Sequence, residues 1–286
     1  MKYTEFIHPE DAAALKALKA IPMLSTIVKK VMDIGAEQLY TGLNMASKVK
    51  LSPTQLPRLY NILPPICERL EIKEPEFYLE MTPVPNAYAF GDTQTAITIT
   101  SALVDMMTEE ELIGVVAHEC GHIACRHMLY HTLAQVIANA SGMFETLAKL
   151  AVPIHYALMY WQRKSELSCD RAAAYIVGPK ATASMLARLA GGPKSITSEL
   201  NLEELAEQAN LYDAFCKNGL WNKTLQTYAV MDQDHPFTSV RVREMLKWTD
   251  SEDYKNMIKK NPVCPHCHKA IETSWKFCQH CGHKII

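Results

Sequence analysis

The sequence lacks an apolar run of the ~20 residues that a membrane-spanning helix needs. Its longest uncharged stretches, Met128 to Phe144 and Leu150 to Gln162, fall short of that length. The first is also interrupted by His131, Thr132, Gln135, Asn139 and Ser141. Apolar residues there recur at helical spacing, which reads as an amphipathic, packed helix, with peripheral membrane contact left open. The N-terminus, MKYTEFIHPEDAAAL, has no basic region followed by an apolar core, so no secretory signal is expected. An excess of one charge is missing too. The net charge of −2 excludes a global attraction to nucleic acid. Nine cysteines is an odd number, and five of them (Cys67, Cys120, Cys125, Cys169 and Cys216) are scattered among apolar helical positions. That pattern excludes a disulfide framework and suggests a reducing, cytoplasmic setting. There is no internal repeat and no low-complexity tract.

What is present is a globular composition, 48% hydrophobic and 21% charged over 286 residues. Residues 9–50 read as helical, interrupted at Pro22, and residues 53–70 as a further helix. Three short strands follow, at Glu76–Met81, Asn86–Phe90 and Ala96–Thr100, punctuated by Pro83, Pro85 and Gly91-Asp92. They predict a small antiparallel sheet, with the ITIT run alternating as a half-buried strand. Helices are then expected at 156–177, ended by Gly178-Pro179, and at 180–190, 200–217 and 236–248.

The centre of the chain is His118-Glu119-Cys120-Gly121-His122, an H-E-x-x-H motif. Thr108 and Glu111 form a capping box that opens a helix here, and three glutamates suit its positive end. On that helix His118 and His122 lie one turn apart on one face, where both imidazoles can reach one zinc ion about 2.0–2.1 Å away. Glu119 flanks the metal and can take a proton from water and pass it to a leaving amine. Cys120 sits roughly 200° round the helix from His118 and is a poor ligand for the same ion. A catalytic zinc needs a third protein ligand. Glu166 is the choice, because Asp170 follows one turn later on the same face and can orient a zinc histidine through its free ring N–H. Read without the H-E-x-x-H helix, the pair is an ordinary surface Glu and Asp.

The ordered set HECGH, ELSCD (Glu166 to Asp170) and HPFTSVR (His235 to Arg241) resembles the HtpX-like and CAAX-prenyl-protease-like zinc metallopeptidases, a gluzincin family. Asn86-Ala87-Tyr88-Ala89 is similar to that family's Asn-Ala-x-Ala strand. The resemblance implies zinc held by His118, His122 and Glu166, with Glu119 as general base and Asp170 supporting a ligand. The sheet before the zinc helix either takes an added substrate strand, with Asn86, Ala87 and Tyr88 as the candidate binding residues, or only packs. His235 would donate to the developing oxyanion, with Arg241 steadying the site or the substrate chain. Two departures stand out. Many members carry transmembrane helices between the motifs, and here the common alanine before the aspartate is Cys169.

The tail carries Cys264-x-x-Cys267 and Cys278-x-x-Cys281. Two such knuckles can close a tetrahedral structural zinc site with no open position. The whole is therefore read as a mostly helical α+β protein with a zincin-like domain. Residues 1–50 form an N-terminal helical segment, 51–250 the peptidase domain, 251–262 a linker and 263–286 a zinc ribbon. Two zinc ions are expected, one catalytic and one structural. The expected partners are a polypeptide substrate and a protein docked through the ribbon, with no dedicated nucleic-acid binding. The alternatives are a catalytically silent zinc scaffold, or another HExxH hydrolase such as a deformylase.

Overall fold

The computed structural model describes residues 1–22, 24–33, 35–139, 145–217, 219, 237–264, 271–272 and 274–285. Three helices open the chain: α1 (Pro9–Lys19), α2 (Leu24–Asp33) and α3 (Ala36–Ser47). A two-residue strand β1 (Val49–Lys50) leads to α4 (Pro57–Tyr60) and α5 (Leu63–Leu70). The single helix expected over 53–70 is two, because Pro64 and Pro65 lack the N–H groups needed to continue one. They sit instead in the first turn of α5, where those N–H groups would be unpaired anyway.

The sheet follows, from β2 (Glu76–Glu80), β3 (Ala87–Phe90) and β4 (Ala96–Thr100). Its strand order is β1-β2-β4-β3. The pairs β1/β2 and β3/β4 are antiparallel, but β2 and β4 run parallel. The sheet is thus mixed, a correction to the antiparallel expectation. Residues 81–86 carry the chain past the place beside β2, so β3 becomes the edge and β4 returns to fill the gap. The alternation read into ITIT also differs: all five residues of β4 are buried. Two buried threonines are tolerated because their hydroxyls are bonded. Thr98 Oγ1 accepts from Lys48 Nζ at 3.3 Å. Thr100 Oγ1 accepts from Asn86 N at 2.9 Å and donates to the Val84 carbonyl at 3.0 Å.

The remaining helices cover the sheet and each other: α6 (Ser101–Met106), α7 (Glu109–Ala124), α8 (Met128–Asn139) and α9 (Glu145–Gly191), then α10 (Lys194–Thr197) and α11 (Leu202–Lys217). Two more, α12 (Thr238–Thr249) and α13 (Glu252–Lys260), complete the body. Helix α9 breaks at Gly178, where φ 84° and ψ 166° lie in a region that only glycine occupies readily. The expected stop at Gly178-Pro179 is therefore a kink. Residues 252–260, expected within a linker, form a helix capped by Ser251, whose hydroxyl accepts from Tyr254 N. Tyr254, Met257 and Ile258 recur at helical spacing and pack on the main core.

Candidate metal centre and substrate cleft

Helix α7 forms as its sequence dictates. Thr108 and Glu111 make both halves of the capping box, with Thr108 N donating to Glu111 Oε2 at 2.8 Å. The same carboxylate accepts from Ser184 Oγ and Arg188 Nε on α9, tying the two helices at that end. Between them runs a seam of small residues. A Cβ on Gly121, inside the motif itself, would stand 2.9 Å from Ala172 Cβ and 3.1 Å from Cys169 Cα. On Gly114, two turns earlier, it would meet Met185 Sδ at 3.1 Å. At Gly121 a side chain would force the helices apart, whereas at Gly114 it would press only on side-chain ends, so Gly121 sets how closely α7 approaches α9.

That approach brings the predicted ligands together. His118 Nε2 lies 3.3 Å from Glu166 Oε2, and His122 Nε2 lies 3.2 Å from Glu166 Oε1. Ligand atoms bound at about 2.0–2.1 Å on a tetrahedron are about 3.3 Å apart, so each histidine–glutamate contact has the spacing of two atoms on one zinc ion. On the outer side of His118, Nδ1 donates to Asp170 Oδ1 at 3.1 Å. Arg241 from α12 clamps Asp170 with two bonds, Nε to Oδ2 at 2.9 Å and Nη2 to Oδ1 at 2.7 Å. Its Nη1 reaches Glu166 Oε2 at 3.2 Å. Burial pulls the His118 pKa down, but Glu166 and Asp170 outweigh it and push it up to about 9. For Asp170 burial works upward, and the guanidinium of Arg241 beside it wins, holding the carboxyl below its ordinary value. The carboxylates thus favour a positive charge at the Nε2 position, a proton or a metal ion. Cys169 also lies near both histidines. Its sulfur is 3.8 Å from His127 Nδ1.

The second histidine is supported by residues that no sequence pattern flagged. His122 Nδ1 faces His127 Nδ1 at 3.2 Å, and His127 Nε2 faces Asp11 Oδ2 at 3.0 Å. Asp11 comes from α1 and is fully buried. It also accepts from Trp161 Nε1 at 3.0 Å and Ser168 Oγ at 2.6 Å. Burial raises the Asp11 pKa, but these partners overcome it and keep the carboxyl ionised. Burial lowers that of His127, which is therefore neutral. One proton arrangement satisfies the whole line: His127 Nε2–H donates to Asp11, and His122 Nδ1–H donates to His127. His122 Nε2 is then left with its lone pair toward Glu166, as a ligand must be. The spacing of His127, five residues past His122, was the one available hint. Asp11 had none.

Glu119 is buried, with 7% exposure, and opens into two cavities of about 1050 and about 250 Å³. Both are lined by Asn86 and Ala87 as well as by Glu119 and Glu166. Together they form a cleft along edge strand β3. Tyr88 lines the larger part, its hydroxyl donating to Glu80 and accepting from Lys48. Arg241 and Thr238 line the smaller part. The Arg241 guanidinium is taken up by Asp170 and Glu166. His235 lies outside the described residues.

In the tail, Cys264, Cys278 and Cys281 bring their sulfurs within 4.8 Å of one another. Cys264 and Cys281 are 3.7 Å apart, and thiolates on a tetrahedral zinc at about 2.3 Å stand about 3.8 Å apart. The second knuckle turns through Gly282 at φ 76° and closes with Cys278 N donating to the His283 carbonyl at 2.7 Å. Cys267 lies outside the described residues.

A helix bearing two histidines and a glutamate, joined by a carboxylate from a second helix beside an open strand edge, defines a metallopeptidase. Residues 53–249 match the model of Peptidase family M48, and residues 263–285 that of a zinc-ribbon domain. The chain belongs to peptidase family M48. It is 33% identical over 262 residues to "Plastoglobule-localized metallopeptidase 48, chloroplastic" of Arabidopsis thaliana, covering 90% of this chain and 75% of that relative. Against "Protease HtpX homolog" of Campylobacter concisus it is 26% identical over 218 residues, 66% of this chain and 73% of the relative. The homologue from Desulfatibacillum aliphaticivorans is 27% identical over 234 residues, 71% and 72% of the two chains. No solved structure matches the chain. Among the described residues, no helix is long and apolar enough to cross a membrane.

Proposed function

We propose that this peptidase cleaves within polypeptide chains, using one zinc ion held by His118, His122 and Glu166. The observation that carries the reading is the convergence of both Nε2 atoms on the Glu166 carboxylate, at the foot of the cleft beside β3. Zinc, when bound, supplies Lewis acidity to the scissile carbonyl and makes water a nucleophile near neutral pH. The chain's own groups do the rest. Glu119 takes the proton from the attacking water and returns it to the leaving amine, so no covalent enzyme intermediate forms. Asp170 and the His127–Asp11 pair hold the two histidines in the tautomers that ligation needs. Arg241 fixes Asp170 and Glu166 in turn.

The substrate backbone lies extended along Asn86, Ala87 and Tyr88, adding a strand to the free edge of β3. His235 donates to the oxyanion; support comes from Thr238 and Arg241, its near neighbours in sequence, which line the cleft. A second zinc, on Cys264, Cys267, Cys278 and Cys281, holds the tail and takes no part in chemistry. The ribbon in turn serves as a docking module for a protein partner. As to location, Leu39 and Leu43 are exposed one turn apart on α3, and Leu43 lines the larger cavity. That face suits peripheral contact with a lipid surface, in keeping with the plastoglobule named for the Arabidopsis relative.

The test is hydrolysis of β-casein by the zinc-loaded protein. Cleavage at internal bonds, stopped by a chelator and restored by zinc, is the expected result. A Glu119→Gln protein that still cleaves at the wild-type rate would overturn the assigned base.

A further inference from the structure

Three histidines cluster where α7 gives way to α8, and the support of His122 uses only two of them. His122, His127 and His131 each bring a ring nitrogen to within 4.8 Å of the others. His131 follows His127 by one helical turn, its N–H donating to the His127 carbonyl at 3.2 Å. The two rings stack 12° from parallel with centroids 6.2 Å apart. The His122 ring stands edge-on to both, its centroid 5.4 Å from that of His127 and 4.8 Å from that of His131. A histidine pair at this spacing presents two imidazoles to one ion, as His118 and His122 do.

Each of the added histidines has an outer partner at Nε2. In His127 that nitrogen donates to Asp11 Oδ2 at 3.0 Å. In His131 it lies 3.4 Å from Ser165 Oγ. Ser165 spends its own proton on the Gln162 carbonyl at 2.8 Å, so its oxygen is the acceptor for His131. Such outer acceptors fix the tautomer of a metal-binding histidine and put the lone pair on the other nitrogen. In both residues that nitrogen is Nδ1. His122 Nδ1 and His127 Nδ1 are 3.2 Å apart, close to the spacing of two nitrogens on one zinc ion bound at about 2.0–2.1 Å. His131 is partly exposed and lines the larger cavity, so an ion reaches the set from the cleft.

We propose that His122, His127 and His131 form a further metal position, which takes zinc in excess of the catalytic and tail ions and inhibits the enzyme by competing for His122. Three imidazoles suit zinc. The inference rests on His122 being a ligand of the catalytic ion, as proposed above. A neutral imidazole has one N–H and one lone pair, so His122 serves one ion at a time. On the further position its Nδ1 is the ligand. The proton then sits on Nε2, where Glu166 Oε1 at 3.2 Å accepts it in a hydrogen bond. The catalytic ion is left with His118 and Glu166.

The test uses the whole zinc-loaded chain, with free zinc set by a metal buffer. Uptake is counted by equilibrium dialysis and elemental analysis, and hydrolysis of β-casein is followed in the same samples. Wild type should take up one further zinc per chain and lose turnover in step. His131→Phe keeps a ring and removes the ligand. It should retain basal turnover and need about 10-fold or more free zinc for the same inhibition, since even an outer partner is worth about 10- to 100-fold in affinity. Ser165→Ala removes only the outer acceptor and should shift uptake and inhibition in the same direction, with melting temperature as the control for folding in both variants. If wild type and both variants are inhibited at the same free zinc, the inhibiting ion sits elsewhere and the proposal falls. If wild type takes up no further zinc while its chelator-sensitive turnover stands, the further position falls and the catalytic assignment survives it.

Discussion

The peptidase site and the tail offer metals two kinds of home. At the site every ligand side chain is carried by a long helix, and the helices are held together without the metal's help. Small residues seat α7 on α9, Glu111 ties their ends, and Arg241 and Asp11 bring in α12 and α1. In the tail the described buried residues are Cys264 and Cys278 themselves. An antiparallel bridge pairs Phe277 with Lys284. The first arrangement positions ligands by packing and leaves an approach for substrate. In the second, two of the proposed ligands, Cys264 and Cys278, are the buried residues, the pattern of a module that depends on its metal to fold.

The sharpest way to break the comparison is at Glu119. Among the described residues it makes no hydrogen bond or ion pair to the ligands, and glutamine keeps its shape, so Glu119→Gln should keep its melting temperature and its metal. Its kcat should drop about 10²- to 10⁴-fold, the usual worth of a general acid–base group. Parallel loss of zinc would mean that the site is less preorganised than its packing implies.

Next in size is the support behind His122. Asp11→Asn keeps the shape but removes the charge that fixes the His127 tautomer. Removing such an outer partner typically weakens metal binding about 10- to 100-fold. Competition against a chelator of known affinity should read that change at the catalytic site, with the tail site untouched. An unchanged affinity would reduce the buried relay from α1 to packing.

A smaller effect is expected from the seam. Gly121→Ala places a methyl 2.9 Å from Ala172 Cβ, against helix rather than a flexible side-chain end. Overpacking of this sort costs about 1–3 kcal/mol. Denaturant unfolding should show that loss, and zinc affinity should fall with it, because Glu166 and the histidines sit on the two helices being forced apart. The same substitution at Gly42, with nothing within 4 Å, should cost nothing.

The legible parts of this molecule were those encoded by spacing along one helix. The HECGH pair, the capping box and the Glu166–Asp170 turn each lie within a few residues, and the structure keeps their geometry. What escaped was set by long-range packing. Asp11 meets His127 across 116 residues, and nothing local marks it. Thr98 and Thr100 read as solvent-facing, because the hydroxyl partners that allow their burial come from other segments. The parallel β2/β4 pair was hidden for a related reason: three short strands in succession suggest a meander, and only the six-residue passage from β2 to β3 carries the chain beyond it. The helix at 252–260 was hidden by its charge, which outnumbers the three residues that pack.

The smallest predicted effect sharpens the comparison most. If the tail is held by its own metal and the peptidase body by its packing, the two should be separable. Cys278→Ser removes one thiolate from the proposed tail site, at one of its two buried cysteines. Elemental analysis should then find one zinc per chain in place of two. Protease digestion should shorten the chain at the tail while the body stays intact. Hydrolysis of a short peptide, which needs only the cleft, should stay within about twofold of wild type, as expected for a change far from the reacting groups. Cleavage of β-casein measured alongside tells what the ribbon adds. A loss confined to the protein substrate assigns it to recruitment. A loss on the peptide as well would show that the tail reaches the catalytic site, and that the two metal homes are one system.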